Sequence, residues 1–302
     1  MKIRVFAIIA VSLATALPGL GQHAGRPAIT GISHLTLRAA NLAKSRQFYM
    51  GALGFGDELG NDQRHARFHI NFHQYIELTA APPNTPLDRL VEVGFATKDA
   101  EALRRYLSAH GVQVPREITP GPDGTRSFTV HDPEGHQISF VQYSGKSGSL
   151  ELANTPPISR HMIHAGFIVR NRAAEDRFYK DILGFHVYWH GGMKNGETDW
   201  VDMQVPNGTD WLEYMLNVSQ NPSPQESGEV QHLALGVNDI KPAVKMVKQR
   251  GWPIPEPAQV GRDGKWQLNL YDPDLTRVEV MEFRPVEPPC CAKYTGPHPG
   301  KR

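Results

Sequence analysis

Histidines and glutamates recur at matched positions along this 302-residue chain, in a combination of donors that suits a divalent metal ion. His34 and His164 are 164 − 34 = 130 residues apart, each near the start of a β-rich run that opens one copy of a repeat. Glu77, in Tyr-Ile-Glu-Leu, falls on Glu213, in Trp-Leu-Glu-Tyr. Glu92 falls on His232, and Ser139 on Glu279. The later copy therefore holds His164, Glu213, His232 and Glu279, one on each of four strands. Two imidazoles and two carboxylates suit zinc, nickel, cobalt, manganese or ferrous iron. Alternation along a strand lets a mid-strand ligand reach a concave face.

Each of these residues, taken singly, is equally an ordinary strand residue. A lone strand histidine is commonly satisfied inside a core, and a glutamate beside apolar neighbours commonly faces water. Their coincidence at equivalent repeat positions argues for a joint site. The earlier copy lacks it, because Ser139 cannot replace a carboxylate and Glu92 stands where a histidine is needed. One tight metal per chain is expected. An exchange of modules would instead join His34 and Glu77 to His232 and Glu279. The direct arrangement is favoured, since a linker of about 14 residues lets each domain fold from contiguous sequence.

The elements that must position these residues also repeat. Phe48-Tyr49-Met-Gly-Ala-Leu53-Gly54-Phe55 recurs as Phe178-Tyr179-Lys-Asp-Ile-Leu183-Gly184-Phe185. Gly121-Pro-Asp123-Gly124 through Asp132-Pro133 recurs 261 − 121 = 140 residues later. The longer offset marks an insertion around Gly191 to Thr198 and Asn217 to Gly228. Each copy divides again. Ile32 to Arg38 reads as a strand, and Asn41 caps a helix carrying Phe48, Ala52 and Leu53 that ends at Gly54. Short β-rich runs follow at Ala66 to Phe72 and Tyr75 to Thr79. Leu90 to Thr97 restarts the pattern, with Asp99 capping the next helix and strands near Ser127 to Val130 and Gln137 to Gln142. A strand, a helix and two or three strands thus occur four times over, an α+β pattern.

Domains are expected at 30–143 and 160–283, with a Ser, Gly and Pro-rich linker at 144–157. Residues 22–30 and the tail 286–302 read as poorly ordered extensions. Lys2 and Arg4, an apolar run from Val5 to Leu17 and a small-x-small stop at Gly19-Leu20-Gly21 form a secretory signal over residues 1–21. This predicts a periplasmic or secreted protein, free of the membrane after cleavage. A composition of 40% apolar and 21% charged residues is globular, and a net charge of +1 provides no basic field for nucleic acid. Cys290 and Cys291 are adjacent and cannot staple a core. They can form a vicinal disulfide, pair between chains or bind a soft metal, though a tail without chemistry is the simpler reading. Trp200, Trp211 and Trp266 are read as core residues ahead of pocket walls.

The histidine-bearing first strand, the Phe-Tyr-x(3)-Leu-Gly-Phe helix end and Asp-Pro-x(5)-Glu at Asp272 to Glu279 resemble the vicinal oxygen chelate superfamily. That superfamily includes glyoxalase I, extradiol dioxygenases and metal-free bleomycin-binding proteins. The resemblance implies two βαβββ modules per domain, forming a cupped mixed sheet around one divalent ion that chelates neighbouring oxygens of a small substrate. His164, Glu213, His232 and Glu279 match the four glyoxalase I ligands, and Glu213 or Glu279 would move a proton beside a carbonyl. A dioxygenase triad would use His164, His232 and Glu279 with iron. The dioxygenase pattern also expects a further histidine, which Arg262 to Trp266 lacks, and a tyrosine at a different spacing from Tyr271. A lyase or isomerase is therefore the leading expectation. An extradiol-type dioxygenase and a non-enzymatic binding protein are the alternatives, as monomer or homodimer.

Overall fold

In the computed structural model, residues 25–60, 62–82, 89–121, 124–145 and 155–301 are described. The expected secretory segment and linker residues 146–154 lie outside them. The first half contributes β1 (Ile29–Ala39), β2 (Gly56–Asp57), β3 (His65–Asn71), β4 (Gln74–Ala80), β5 (Leu90–Thr97), β6 (Thr119–Pro120), β7 (Arg126–His131) and β8 (Gln137–Gln142). The second contributes β9 (Met162–Ile168), β10 (His186–Gly191), β11 (Trp200–Gln204), β12 (Trp211–Met215), β13 (His232–Val237), β14 (Gln259–Val260), β15 (Trp266–Tyr271) and β16 (Arg277–Glu282). Each half is one eight-stranded sheet, ordered β2-β3-β4-β1-β5-β8-β7-β6 and β10-β11-β12-β9-β13-β16-β15-β14. Every module runs strand, helix and three strands, and two modules meet where β1 pairs antiparallel with β5, or β9 with β13. The halves are thus two tandem α+β domains of the expected type.

Helices cover one face of each sheet. Asn41 caps α1 (Leu42–Arg46) by accepting from Lys44 N at 3.0 Å, and Asn171 caps α3 (Arg172–Asp176) by accepting from Ala174 N. Both helices widen into a π-helical turn, Gln47–Ala52 and Arg177–Ile182. Adjacent aromatic residues in these turns, Phe48 with Tyr49 and Phe178 with Tyr179, are all buried. Gly54 and Gly184 then reverse the chain at φ +78° and +76°, where a side chain would be strained. Asp99 and Asp239 cap α2 (Ala100–Ala109) and α5 (Ile240–Gln249). The remaining helix, α4 (Pro224–Val230), lies within the second predicted insertion, where the sequence suggested only a loop.

One apolar core runs through both halves, from Ile29 and Phe48 to Phe178 and Val280. The repeated motifs brace the halves against each other. Tyr49 donates to Asp272 Oδ2 and Tyr179 to Asp132 Oδ2, each at 3.1 Å. Phe95 meets Phe185 edge-on at 5.2 Å.

The expectation of loose extensions is corrected at both ends. Ile29 already lies in β1, and Arg26 bonds Asn207 in the second half. Residues 286–301 dock on the second sheet. Val286 N donates to Gly264 O and Cys290 N to Arg262 O, each at 2.8 Å, and Thr295 N donates to Tyr188 O. Proline and glycine made this segment read as loose, but Tyr294 packs on Tyr188 at 4.7 Å and anchors it. Cys290 and Cys291 form a vicinal disulfide within this tail, one of the alternatives open from sequence.

Candidate metal centre

The four central strands of the second sheet each present one of the expected ligands. On one rung Asp202, Glu213, Gly166 and His232 lie side by side across β11, β12, β9 and β13. Two residues along, Trp211, His164, Ala234, Glu279 and Asn269 form the next rung. Alternation in a strand places both rungs on the same face. Gly166 is needed here because a Cβ at that position would overlap the His232 imidazole.

The ligand atoms converge. His164 Nε2 lies 3.0 Å from His232 Nε2, 3.3 Å from Glu279 Oε2 and 3.9 Å from Glu213 Oε2. His232 Nε2 lies 3.0 Å from Glu213 Oε2. His232 Nδ1 sits 3.2 Å from Val230 O. Donation to that carbonyl leaves the one lone pair on Nε2, which accepts from Arg277 at 2.8 Å and would have to exchange that bond for a metal ion. Glu279 is 3% exposed and Glu213 13%, so Glu213 is the carboxylate nearer the opening.

Burial lowers the His164 pKa, and burial with the charge of Arg277 pushes His232 down to about 3, so both imidazoles stay neutral and able to bind a metal. Burial pushes Glu213 up despite the opposing charge of His164. Burial also acts upward on Glu279, but its hydrogen bond with His164 and the charges of Arg277, His164 and His232 outweigh it and hold the carboxyl at about 2. His164 Nδ1, Trp211 Nε1, Asp202 Oδ1 and Asn269 Oδ1 are buried without a hydrogen-bond partner among the described residues. Two neutral imidazoles, two carboxylates and unfilled polar atoms fit a divalent ion.

The centre lies in a cavity of about 420 Å³ that Trp189, Trp200 and Trp211 help to wall and that Arg262 and Arg277 also line. Trp211 belongs to a buried apolar cluster with Tyr188 and Trp189, and Trp200 packs against it, as expected, while both also wall the cavity. Trp266 packs against the core, as expected. Arg277 donates to His232 Nε2 at 2.8 Å. Behind Trp211 the Lys265 amine is fully buried without a hydrogen bond among the described residues, 4.5 Å from the indole, 5.0 Å from the Tyr294 ring and 3.8 Å from Asp263 Oδ2. Burial lowers its pKa, and burial together with Glu213 raises that of Asp202 well above the carboxylate range. Sequence reasoning did not find Asp202, Lys265, Arg277 or Gly166. Their roles depend on register and tail docking.

The swapped ligand set is not formed. His34 and Glu77 belong to the first sheet, away from His232 and Glu279. There His34 Nε2 contacts Glu92 Oε1 at 2.8 Å and stacks on Tyr75 at 4.7 Å. Arg67 holds Glu77 Oε2 through Nε at 3.0 Å and Nη2 at 2.8 Å. Ser139 Oγ lies 3.4 Å from His34 Nε2, where the second sheet has the Glu279 carboxylate.

Comparison with known proteins agrees with this architecture. Residues 31–140 and 161–280 match the Glyoxalase/Bleomycin resistance protein/Dioxygenase superfamily. Lactoylglutathione lyase of Neisseria meningitidis is 32% identical over 136 residues, covering 40% of this chain and 94% of the lyase. Among solved structures, homoprotocatechuate 2,3-dioxygenase of Arthrobacter globiformis superposes with a TM-score of 0.63 at 18% identity, over 88% of this chain and 84% of that one. The Brevibacterium fuscum enzyme, in complex with 3,4-dihydroxyphenylacetate, gives 0.61 at 19% identity over 85% and 81%. At these identities the solved structures share a fold with this chain.

Proposed function

Because this chain belongs to the Glyoxalase/Bleomycin resistance protein/Dioxygenase superfamily, we propose that its second domain is a metal-dependent lyase or isomerase acting on a small molecule with two neighbouring oxygens. The observation that carries this reading is the convergence of His164, Glu213 and His232, whose donor atoms lie within 4.8 Å of one another, with the Glu279 carboxylate 3.3 Å from His164. A divalent ion held there supplies Lewis acidity to both substrate oxygens. His164, Glu213, His232 and Glu279 would hold the ion, which would polarise both substrate oxygens.

The residues divide the remaining work. Glu279, buried and held anionic, is the anchoring ligand, and Glu213 at the opening takes the proton from the carbon beside the carbonyl and returns it to the neighbouring carbon. One carbon of the pair is oxidised and its neighbour reduced, with the hydroxyl proton passing between the two oxygens, so no external oxidant or reductant is needed. Arg277 and Arg262 favour an oxygen-rich or anionic substrate, and the tryptophans exclude water from its carbon face. Export, proposed from residues 1–21, would separate the protein from the intracellular thiol pool. On that proposal the substrate is a small oxygenated molecule other than a glutathione conjugate.

The test loads the protein with zinc, nickel, cobalt or manganese and follows proton exchange of small α-hydroxy ketones and 2-oxoaldehydes in D2O without oxygen. Exchange that Glu213→Gln abolishes is the expected result. A dioxygenase is the second reading, supported by the tryptophan-walled cavity and the dioxygenase fold neighbours. Oxygen uptake with catechols by the iron-loaded protein, with no exchange under any metal, would establish it instead. Ligand binding that survives chelation would indicate a binding protein.

A further inference from the structure

A second group of metal-type donors lies between the two halves, away from His164. Asp132 in the turn before β8, His136 four residues on, and Glu175 on α3 each bring one donor atom within 4.8 Å of the others. Asp132 and His136 come from the first half and Glu175 from the second. His136 Nδ1 is 2.7 Å from Asp132 Oδ2, and its ring stacks on Phe167 at 4.2 Å. The Glu175 side chain is 0% exposed. One of its oxygens accepts from Glu134 N at 3.1 Å, and Oε2 has no hydrogen-bond partner among the described residues.

The repeat supplies an internal control. Asp132, His136 and Glu175 correspond to Asp272 (272 − 132 = 140), Thr276 (276 − 136 = 140) and Ser45 (175 − 45 = 130) at the related interface. Both aspartates do the same structural work. Asp132 Oδ1 accepts from Glu134 N and His136 N, Asp272 Oδ1 accepts from Asp274 N and Thr276 N, and each carboxylate receives a tyrosine hydroxyl. Ser45 is satisfied by donating to Asn41 O. The brace therefore needs only the aspartate and the tyrosine, and neither His136 nor Glu175 is required for it. A buried carboxylate oxygen without a donor, facing a second carboxylate, is destabilising unless a proton or a metal cation sits between them. A nitrogen and two carboxylates are the donor set of a zinc-type ion, and of the three residues His136 lines an adjoining cleft of about 260 Å³.

We propose that Asp132, His136 and Glu175 bind a divalent zinc-type ion that pins the two domains together, a structural site independent of the centre at His164. The experiment strips the full-length protein of metal, dialyses it against zinc and measures bound zinc and thermal stability in parallel. Wild type should hold two equivalents, with one remaining in Glu175→Ser, in His136→Thr and in His164→Ala, and none in Glu175→Ser/His164→Ala. Glu175→Ser and His136→Thr install the residues that the related interface already uses, so folding should be retained. Zinc should raise the melting temperature of His164→Ala but not of the double variant. A single equivalent in wild type that His164→Ala removes would overturn the interface site, with a shared proton filling the gap, and leave the His164 centre standing. Two equivalents persisting in Glu175→Ser would overturn it as well.

Discussion

In the first cup Arg67, Glu77, Thr36 and Glu92 share one rung, and His34 reaches Glu92 from the next. At the same rungs of the second cup Glu213 faces Asp202, and His164 reaches His232 and Glu279. The frames are alike, but the charges are placed differently. The first cup carries its own cation, since the Arg67 guanidinium neutralises Glu77 and His34 contacts Glu92. Burial pushes Glu92 up, but hydrogen bonds from His34, Ser139 and Thr129 hold it below its usual range. In the second cup Asp202 adds a buried acid to Glu213 and Glu279, opposed by the hemmed-in Lys265 amine and by Arg277. One arginine-for-aspartate difference thus helps decide whether a cup closes on itself or recruits an external cation.

The largest effect expected from breaking this contrast is at the shared ligands. His232→Ala or Glu279→Ala should weaken zinc at the centre by about 100-fold or more, while His34→Ala and Glu77→Ala leave calorimetric binding there unchanged. Loss on His34→Ala instead would place the tight site in the first cup. Next comes Asp202→Arg, which copies Arg67 into the second cup. Competition against a chromophoric chelator should show zinc affinity about 10- to 100-fold lower, as Glu213 turns to the new guanidinium. Undiminished affinity would mean that the cross-rung charge is irrelevant.

Gly166→Ala should follow, because its Cβ meets the His232 ring whereas the first cup carries Thr36 on the corresponding rung. Urea unfolding of the metal-free protein should show a loss of about 1–3 kcal/mol. The smallest effect concerns acid. His232 is lowered from 6.5 to about 3 in the folded chain, so below pH 6.5 the unfolded chain takes up a proton that the folded chain refuses. Its contribution is complete above 6.5 and falls as pH drops toward 3. Moving the metal-free protein from about pH 7.5 to about 5.5 should therefore cost about 1 kcal/mol through this residue, and His232→Gln should flatten that part of the stability profile.

The tandem fold was legible because the repeat offsets place like residues in register on either side of the insertion, and the same register is what singled out the four candidate ligands. Asp202 escaped for a related reason. It lies 202 − 67 = 135 residues from Arg67, inside the stretch where the offset changes from 130 to 140. Lys265 could not be placed because its cage includes Tyr294, from a tail whose prolines and glycines hide its docking. The π-helical turns left no trace in the apolar spacing, which fits an ordinary helix equally well. Arg277 reads as a surface charge until β13 pairs with β16 and sets it beside His232.

The crossed bonds from Tyr49 to Asp272 and from Tyr179 to Asp132 have the reciprocity of an isologous dimer, in which i meets j and j meets i. Here both partners belong to one polypeptide, so the reciprocal pairing is intramolecular. Fusion relaxes a constraint that identical subunits share, because a substitution in one half no longer appears in the other. The half with Arg67 and Ser139 can give up its ligands and still serve as the wall against which its twin folds.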